Sequence, residues 1–133
     1  MDKKSPRPRV IAALDVEEKA RAIELARELS PSIGTFKIGS RLFTAFGPRI
    51  VEEIGALGGS IFLDLKFHDI PATVAGSVRA AASLGVAMMT IHTSGGVEMM
   101  RAAAGAAAEE SEKRGVRRPL VVGVTVLTSL SKG

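Results

Sequence analysis

Short apolar runs alternate with one-sided helical patterns along this chain. Five runs have the length of β-strands, at residues 10–15, 34–39, 61–66, 87–93 and 120–127. The first four assign side chains to alternate faces, and the fifth is apolar along most of its length. Between them, apolar residues recur at helical spacing over residues 17–29, 42–57, 72–84 and 97–114, with Gly47-Pro48 expected to split the second helix. Strand and helix therefore alternate about every 25 to 30 residues, which is typical of a parallel sheet.

Two α/β folds fit this alternation: an open doubly wound sheet and a (β/α)8 TIM barrel. An open nucleotide-binding sheet is expected to carry a glycine-rich loop after its first strand, whereas here the sequence reads Leu14-Asp15-Val16-Glu17. A complete barrel needs about 250 residues. We therefore predict that residues 10–133 form the N-terminal part of a single TIM-barrel domain, roughly its first five βα units. Residues 1–9 are predicted to be a disordered arm.

Ionisable residues cluster at the ends of the predicted strands. They are Asp15, Lys37, Asp64, Lys66 and His92. The carboxyl ends of barrel strands form the rim on which active sites are built, and buried charges are unfavourable unless they are paired. An isolated Asp-x-Lys would be better explained by a salt bridge where a strand enters solvent. Four successive strands with such residues favour a functional site.

The third predicted strand has the most ionisable side chains, with Asp64 and Lys66 on one face and Asp69 just beyond the strand end. Each carboxylate is expected near an ammonium, which favours the charged form of both groups. A Schiff-base lysine needs the opposite environment, an apolar pocket or a second cation. Lys66 is therefore interpreted as a proton donor and not as a nucleophile.

Composition excludes several other functions. The 133 residues include 18 Lys+Arg and 14 Asp+Glu, and this net charge of +4 is too small and scattered to indicate a nucleic-acid partner. No cysteine is present, which excludes disulfides, thiolate metal sites and a cysteine nucleophile. The N-terminus has no apolar run of the kind found in signal peptides or membrane anchors, so we expect a cytoplasmic protein with no membrane partner.

Four segments resemble orotidine 5′-phosphate decarboxylases in sequence, order and spacing. They are Ala13-Leu14-Asp15, Phe36-Lys37-Ile38-Gly39, Asp64-Leu65-Lys66-Phe67-His68-Asp69-Ile70-Pro71-x-Thr73 and Val126-Leu127-Thr128-Ser129. The Asp-Leu-Lys-x-x-Asp-Ile-Pro block is highly specific to that family. The resemblance implies decarboxylation of orotidine 5′-monophosphate to uridine 5′-monophosphate, in pyrimidine biosynthesis, without metal or organic cofactor.

The resemblance also implies roles for individual residues. Asp15 and Lys37 would hold the ribose hydroxyls, and Asp64 would lie against the substrate carboxylate. Lys66 would protonate C6 as CO2 leaves. Members of the family are homodimers, so Asp69 and Thr73 would reach into the neighbouring subunit's site. Thr128 and Ser129 match the segment that contacts the pyrimidine.

Two alternatives remain open from the sequence. The Mg2+-dependent sugar-phosphate decarboxylases and aldolases of the same barrel superfamily share the Asp-x-Lys-x-x-Asp strand, but Lys37 would repel a divalent cation. An inactive half-barrel fragment is the second alternative. The resemblance places the family's phosphate-binding segments in later βα units, which are not part of these 133 residues. We expect the remainder of the barrel to be supplied by a separate C-terminal polypeptide or by an unseen remainder.

Two histidines and a glycine pair carry weaker signals. His92 is interpreted as a hydrogen-bonded support of the rim, and His68 as an exposed loop residue. Gly95-Gly96 precedes a helix and fits either an anion site or a tight strand-to-helix turn.

Overall fold

The computed structural model describes residues 10–131, so the predicted arm at residues 1–9 lies outside the described part of the chain. Five strands alternate with helices in the order β1 (Ile11–Ala13), α1 (Lys19–Leu29), β2 (Thr35–Gly39), α2 (Ser40–Phe46), α3 (Arg49–Gly55), β3 (Ser60–Phe67), α4 (Pro71–Ser83), β4 (Met88–His92), a 3-10 turn (Thr93–Gly95), α5 (Val97–Arg114) and β5 (Leu120–Val124). The strands have the sheet order β1-β2-β3-β4-β5. The predicted alternation of strand and helix is confirmed.

The predicted break in the second helix is confirmed at Gly47-Pro48, where α2 ends and α3 begins. Gly47 has a φ of 70°, a left-handed conformation that glycine adopts without steric penalty. Proline at the next position has a fixed φ and no N–H to donate, so it starts α3 and cannot continue α2.

The prediction that the last strand reaches Leu127 is wrong at its C-terminal end. β5 pairs in parallel with β4, in a register that runs from Met88 opposite Leu120 to His92 opposite Val124. The strand therefore ends where its partner ends. Beyond Val124 the chain turns, and the N–H of Leu130 donates to the carbonyl oxygen of Leu127 at 3.0 Å.

The chain divides into two compact units at Asp64/Leu65, within β3. In the first unit, β1 pairs in parallel with β2, and β2 with β3. Its core contains fully buried side chains from β2 and from the helices that flank it: Phe36, Ile38, Leu42, Ile50 and Ile54. Buried apolar area of this kind stabilises a fold by roughly 25 cal/mol per Å².

In the second unit, α4 and α5 pack against each other through small residues. Val74 and Val78 on α4 and Ala103 and Ala106 on α5 are buried. Small side chains allow two helix axes to approach closely, which explains the many alanines that the sequence places in both helices. Within residues 10–131, no helix is both long enough and apolar enough to cross a membrane.

Candidate active site

An ion pair joins β2 and β3 in the first unit. The Nζ of Lys37 lies 3.5 Å from the Oδ2 of Asp64, and their side chains are 28% and 10% exposed. The register explains this contact, because Lys37 lies opposite Phe62 and Gly39 lies opposite Asp64. Residues two apart on a strand share a face, so Lys37 and Asp64 are diagonal neighbours on the same face. The two charges therefore compensate each other in a largely desolvated position.

Asp15 lies at the end of β1, on a cleft of the first unit. The cleft has a volume of about 350 Å³ and is lined by Leu14, Asp15, Val16, Gly39, Ser40, Arg41 and Leu42. The ends of β1 and β2 are joined there, because the N–H of Leu14 donates to the carbonyl oxygen of Lys37 at 3.0 Å. Asp15 itself is exposed, so its carboxylate is accessible to a polar ligand.

Lys66 lies near the end of β3 with a φ of 50°, the one positive φ among the non-glycine residues of the described chain. A left-handed conformation costs a residue with a side chain about 1 to 2 kcal/mol. The N–H of Lys66 donates to the Oγ1 of Thr90 at 2.9 Å. Thr90 lies within β4 and is only 3% exposed. The regular strand alternation predicted from the sequence therefore ends at Lys66.

The loop after β3 carries His68 and Asp69, both exposed as expected for His68. The ring of His68 contacts that of His92, the last residue of β4, with 5.3 Å between the ring centroids and a 45° interplanar angle. The Oδ1 of Asp69 accepts a hydrogen bond from the N–H of Ile70 at 2.7 Å. This contact orients the carboxylate just before α4.

Thr73 lies in the first turn of α4 and is exposed. Thr128 and Ser129 are also exposed and form the turn that follows β5. Of the predicted site residues, the structure brings Lys37 and Asp64 into direct contact in the first unit. The sequence did not indicate the hydrogen bond between Lys66 and Thr90. The only signal was that Thr90 shares a face of β4 with His92, and this pattern does not identify a hydrogen-bond partner on β3.

Over residues 10–131, the His, Asp and Glu side chains form no group of three or more that could hold a metal ion. The absence of a metal or organic cofactor remains a prediction from the family resemblance.

Residues 8–132 match the orotidine 5′-phosphate decarboxylase / HUMPS family. The chain belongs to this family. It is 49% identical over 124 residues to the orotidine 5′-phosphate decarboxylase of Syntrophomonas wolfei, covering 93% of this chain and 52% of that protein. It is 50% identical over 123 residues to the orotidine 5′-phosphate decarboxylase of Paramagnetospirillum magneticum, covering 92% of this chain and 52% of that protein.

The same likeness holds in three dimensions. The crystal structure of orotidine 5′-phosphate decarboxylase from Lactobacillus acidophilus has a TM-score of 0.78 and 35% sequence identity, over 92% of this chain and 55% of that one. The predicted fold class, the first βα units of a TIM barrel, is confirmed by this structural likeness. This orotidine 5′-phosphate decarboxylase / HUMPS family chain spans about half the length of the curated relatives that it matches.

Proposed function

We propose that this chain forms the N-terminal part of an enzyme that decarboxylates orotidine 5′-monophosphate to uridine 5′-monophosphate. The observation that carries the proposal is the Lys37–Asp64 ion pair at 3.5 Å, followed two residues later on β3 by Lys66. The family match over residues 8–132 and two decarboxylase relatives at 49% and 50% identity support this assignment. The reaction would serve pyrimidine biosynthesis.

In the proposed reaction, the bond between C6 and the carboxylate carbon breaks, CO2 leaves, and the electron pair remains on C6. The ammonium of Lys66 donates its proton to C6, and the neutral amine then regains a proton from water. A fixed ammonium stabilises the developing negative charge more than it stabilises the ground state, so it accelerates the reaction. Lys66 is therefore the principal catalytic residue of the proposal.

The remaining predicted residues would bind and orient the substrate. Asp15 and Lys37 would hold the ribose hydroxyls, and Asp64 would lie against the departing carboxylate. The ion pair supports these roles for Lys37 and Asp64, because mutual contact restricts both side chains before substrate arrives. Thr128 and Ser129, exposed in the turn after β5, would contact the pyrimidine.

No metal or organic cofactor is part of this proposal. A divalent cation near Asp64 would have to displace or tolerate the Lys37 ammonium, which lies 3.5 Å from the carboxylate. A cation bound to that carboxylate would lie close to the ammonium, and two positive charges close together repel each other strongly in a poorly solvated position. The Lys37 ammonium beside Asp64 therefore speaks against the alternative of a Mg2+-dependent sugar-phosphate decarboxylase or aldolase.

We further propose that the functional assembly is a homodimer in which each barrel includes a C-terminal half. That half would be a separate polypeptide or a continuation of the chain, with residues 10–133 as the N-terminal part of one barrel domain. Asp69 lies just before α4 and Thr73 in its first turn, and both exposed side chains would extend into the neighbouring subunit's site.

The decisive experiment follows the ultraviolet absorbance of orotidine 5′-monophosphate in EDTA. The chain would be co-expressed with the C-terminal half of the S. wolfei relative. We expect turnover in EDTA, and a loss of about 10³-fold or more in kcat for Lys66→Ala. Lys19→Ala, at a half-exposed lysine on α1, is the matched control and should retain activity. Activity that survives Lys66→Ala, or that EDTA abolishes, would contradict the proposal.

The shared site can be tested by mixing two inactive variants, Lys66→Ala and Asp69→Ala. In a mixed dimer with shared sites, both lesions fall in one site and the other site is intact. We therefore expect mixing to restore activity. Two variants that stay inactive after subunit exchange, shown by two distinguishable tags, would argue against a contribution of Asp69 across the dimer.

A further inference from the structure

The conformation of Lys66 needs a structural cause. Its φ of 50° lies in the left-handed region, which residues other than glycine, asparagine and aspartate rarely adopt. A residue persists there only when the surrounding structure holds it. Such a conformation also decides the direction in which the side chain leaves the strand.

Thr90 contacts the backbone of Lys66. The Lys66 N–H lies 2.9 Å from the Thr90 Oγ1, so a side-chain oxygen and not a main-chain carbonyl accepts this hydrogen bond. The Thr90 hydroxyl accepts the hydrogen bond of the Lys66 N–H and so ties the Lys66 backbone to β4.

Thr90 is suited to this task because its own position is fixed. It lies in the middle of β4 and is 3% exposed. A β-branched side chain has few accessible χ1 angles, so the Oγ1 has a defined direction relative to the β4 backbone. The hydrogen bond to this acceptor therefore fixes the backbone of Lys66 relative to β4.

We propose that Thr90 is a positioning residue, which holds Lys66 in its left-handed conformation and thereby aims the Lys66 ammonium at the reacting carbon. The inference rests on the proposed role of Lys66 as proton donor, and Thr90 itself need not touch the substrate. The Thr90 hydroxyl restricts the lysine before the substrate binds. Loss of the hydroxyl would misplace the proton donor while leaving the groups that bind the ribose intact.

The test compares Thr90→Val with Thr90→Ser in the chain assembled with the S. wolfei C-terminal half. Valine keeps the branched shape and removes the acceptor, whereas serine keeps the acceptor and loses the stiffness. We expect Thr90→Val to lower kcat by about 10²-fold, the effect of a misplacement of about 1 Å, with KM little changed. Thr90→Ser should recover most of the loss.

Ser111→Ala is the matched control. Ser111 is a buried hydroxyl of the same unit, 5% exposed, and it donates to the carbonyl oxygen of Ala108 in its own helix at 2.9 Å. Its loss should leave kcat and KM unchanged. Thr90→Ser as impaired as Thr90→Val, wild-type kcat in Thr90→Val, or a rise in KM alone would each overturn the inference.

Amide hydrogen exchange gives a readout that does not depend on turnover. We expect the Lys66 amide to be protected in the unmutated assembly and to lose at least about tenfold of that protection in Thr90→Val, with Ile91 on β4 unchanged. An unprotected Lys66 amide in the unmutated protein would overturn the inference even if Thr90→Val fails to fold. Protection of Lys66 that is lost in Thr90→Val, in an assembly that does not decarboxylate, would contradict the proposed function and leave the Thr90 contact with the Lys66 backbone established.

Discussion

The ammonium of Lys37 lies 3.5 Å from the carboxylate of Asp64, across the parallel pair formed by β2 and β3. The Asp64 side chain is only 10% exposed, so little water is available to replace this partner. Removal of one member of a buried pair is unfavourable because it leaves the other charge without compensation. Removal of either side chain alone should therefore destabilise the protein, apart from any effect on the proposed substrate contacts.

Lys37→Met should lower the free energy of unfolding by about 1 to 3 kcal/mol, because it removes a cationic partner of the largely buried Asp64 carboxylate. Urea unfolding of the single and double variants with Asp64→Asn measures the coupling between the two side chains.

The half-exposed pair Lys19–Glu53, at 3.4 Å with side chains 44% and 34% exposed, is the control for that experiment. Solvent screens such pairs, so its coupling should be at most about 1 kcal/mol. Equal coupling energies in the two pairs would contradict the view that burial strengthens the Lys37–Asp64 contact.

Two glycine-to-alanine substitutions, one just before α5 and one within it, should have opposite effects on stability. Gly96 has a φ of 96° where the chain enters α5, so Gly96→Ala should lower the free energy of unfolding by about 1 to 2 kcal/mol. Gly105 lies within α5, and an added Cβ there meets no atom within 4 Å. Gly105→Ala should therefore raise the free energy of unfolding by about 0.5 to 1 kcal/mol. Thermal unfolding measures whether each substitution stabilises or destabilises the protein. Destabilisation by both would contradict the expected gain in stability from Gly105→Ala.

Glu110 should titrate below its ordinary value. A hydrogen bond from the Arg114 guanidinium, at 2.7 Å, lowers the pKa of Glu110 from 4.5. Because the folded pKa is depressed, this pair stabilises the protein above the unfolded pKa, and the contribution is lost as pH falls through the folded value.

In Arg114→Gln, the pKa of Glu110 should return toward 4.5, as an NMR titration of its side-chain carboxyl would show. The stability difference between the variant and the unmutated protein should be present at pH 7 and vanish in acid. Arg21→Gln removes an exposed pair with Glu24 on α1 and should not move the Glu110 titration. An unchanged Glu110 titration in Arg114→Gln would rule out this cause.

The apolar surface of β5 provides a test of the proposed C-terminal half. Leu120 is 65% exposed, so Leu120→Lys should change the unfolding free energy of the chain alone by less than about 0.5 kcal/mol. Burial of a lysine without a partner is unfavourable, so the same change should weaken co-purification with the C-terminal half. Val116→Lys, at a 53% exposed residue before β5, is the control. If the unmutated chain, Leu120→Lys and Val116→Lys co-purified equally well with the C-terminal half, β5 would not be the surface that contacts that half.

Much of the fold was determined by the sequence alone. The predicted limits of the fifth helix, Val97 to about Arg114, agree with α5, and the predicted break at Gly47-Pro48 separates α2 from α3. These features follow from local backbone chemistry: side-chain periodicity, the fixed φ of proline and the freedom of glycine. The sequence also placed ionisable residues at the strand ends.

Only the tertiary structure decided which of these groups meet. The contact between Lys37 and Asp64 depends on the register of β2 against β3, which no local pattern encodes. The end of β5 at Val124 depends on the length of β4. The left-handed conformation of Lys66 depends on an acceptor that is 24 residues away in the chain, the Thr90 hydroxyl. Periodicity reports the face on which a side chain lies, whereas pairing and strain are set by distant segments that fold against it.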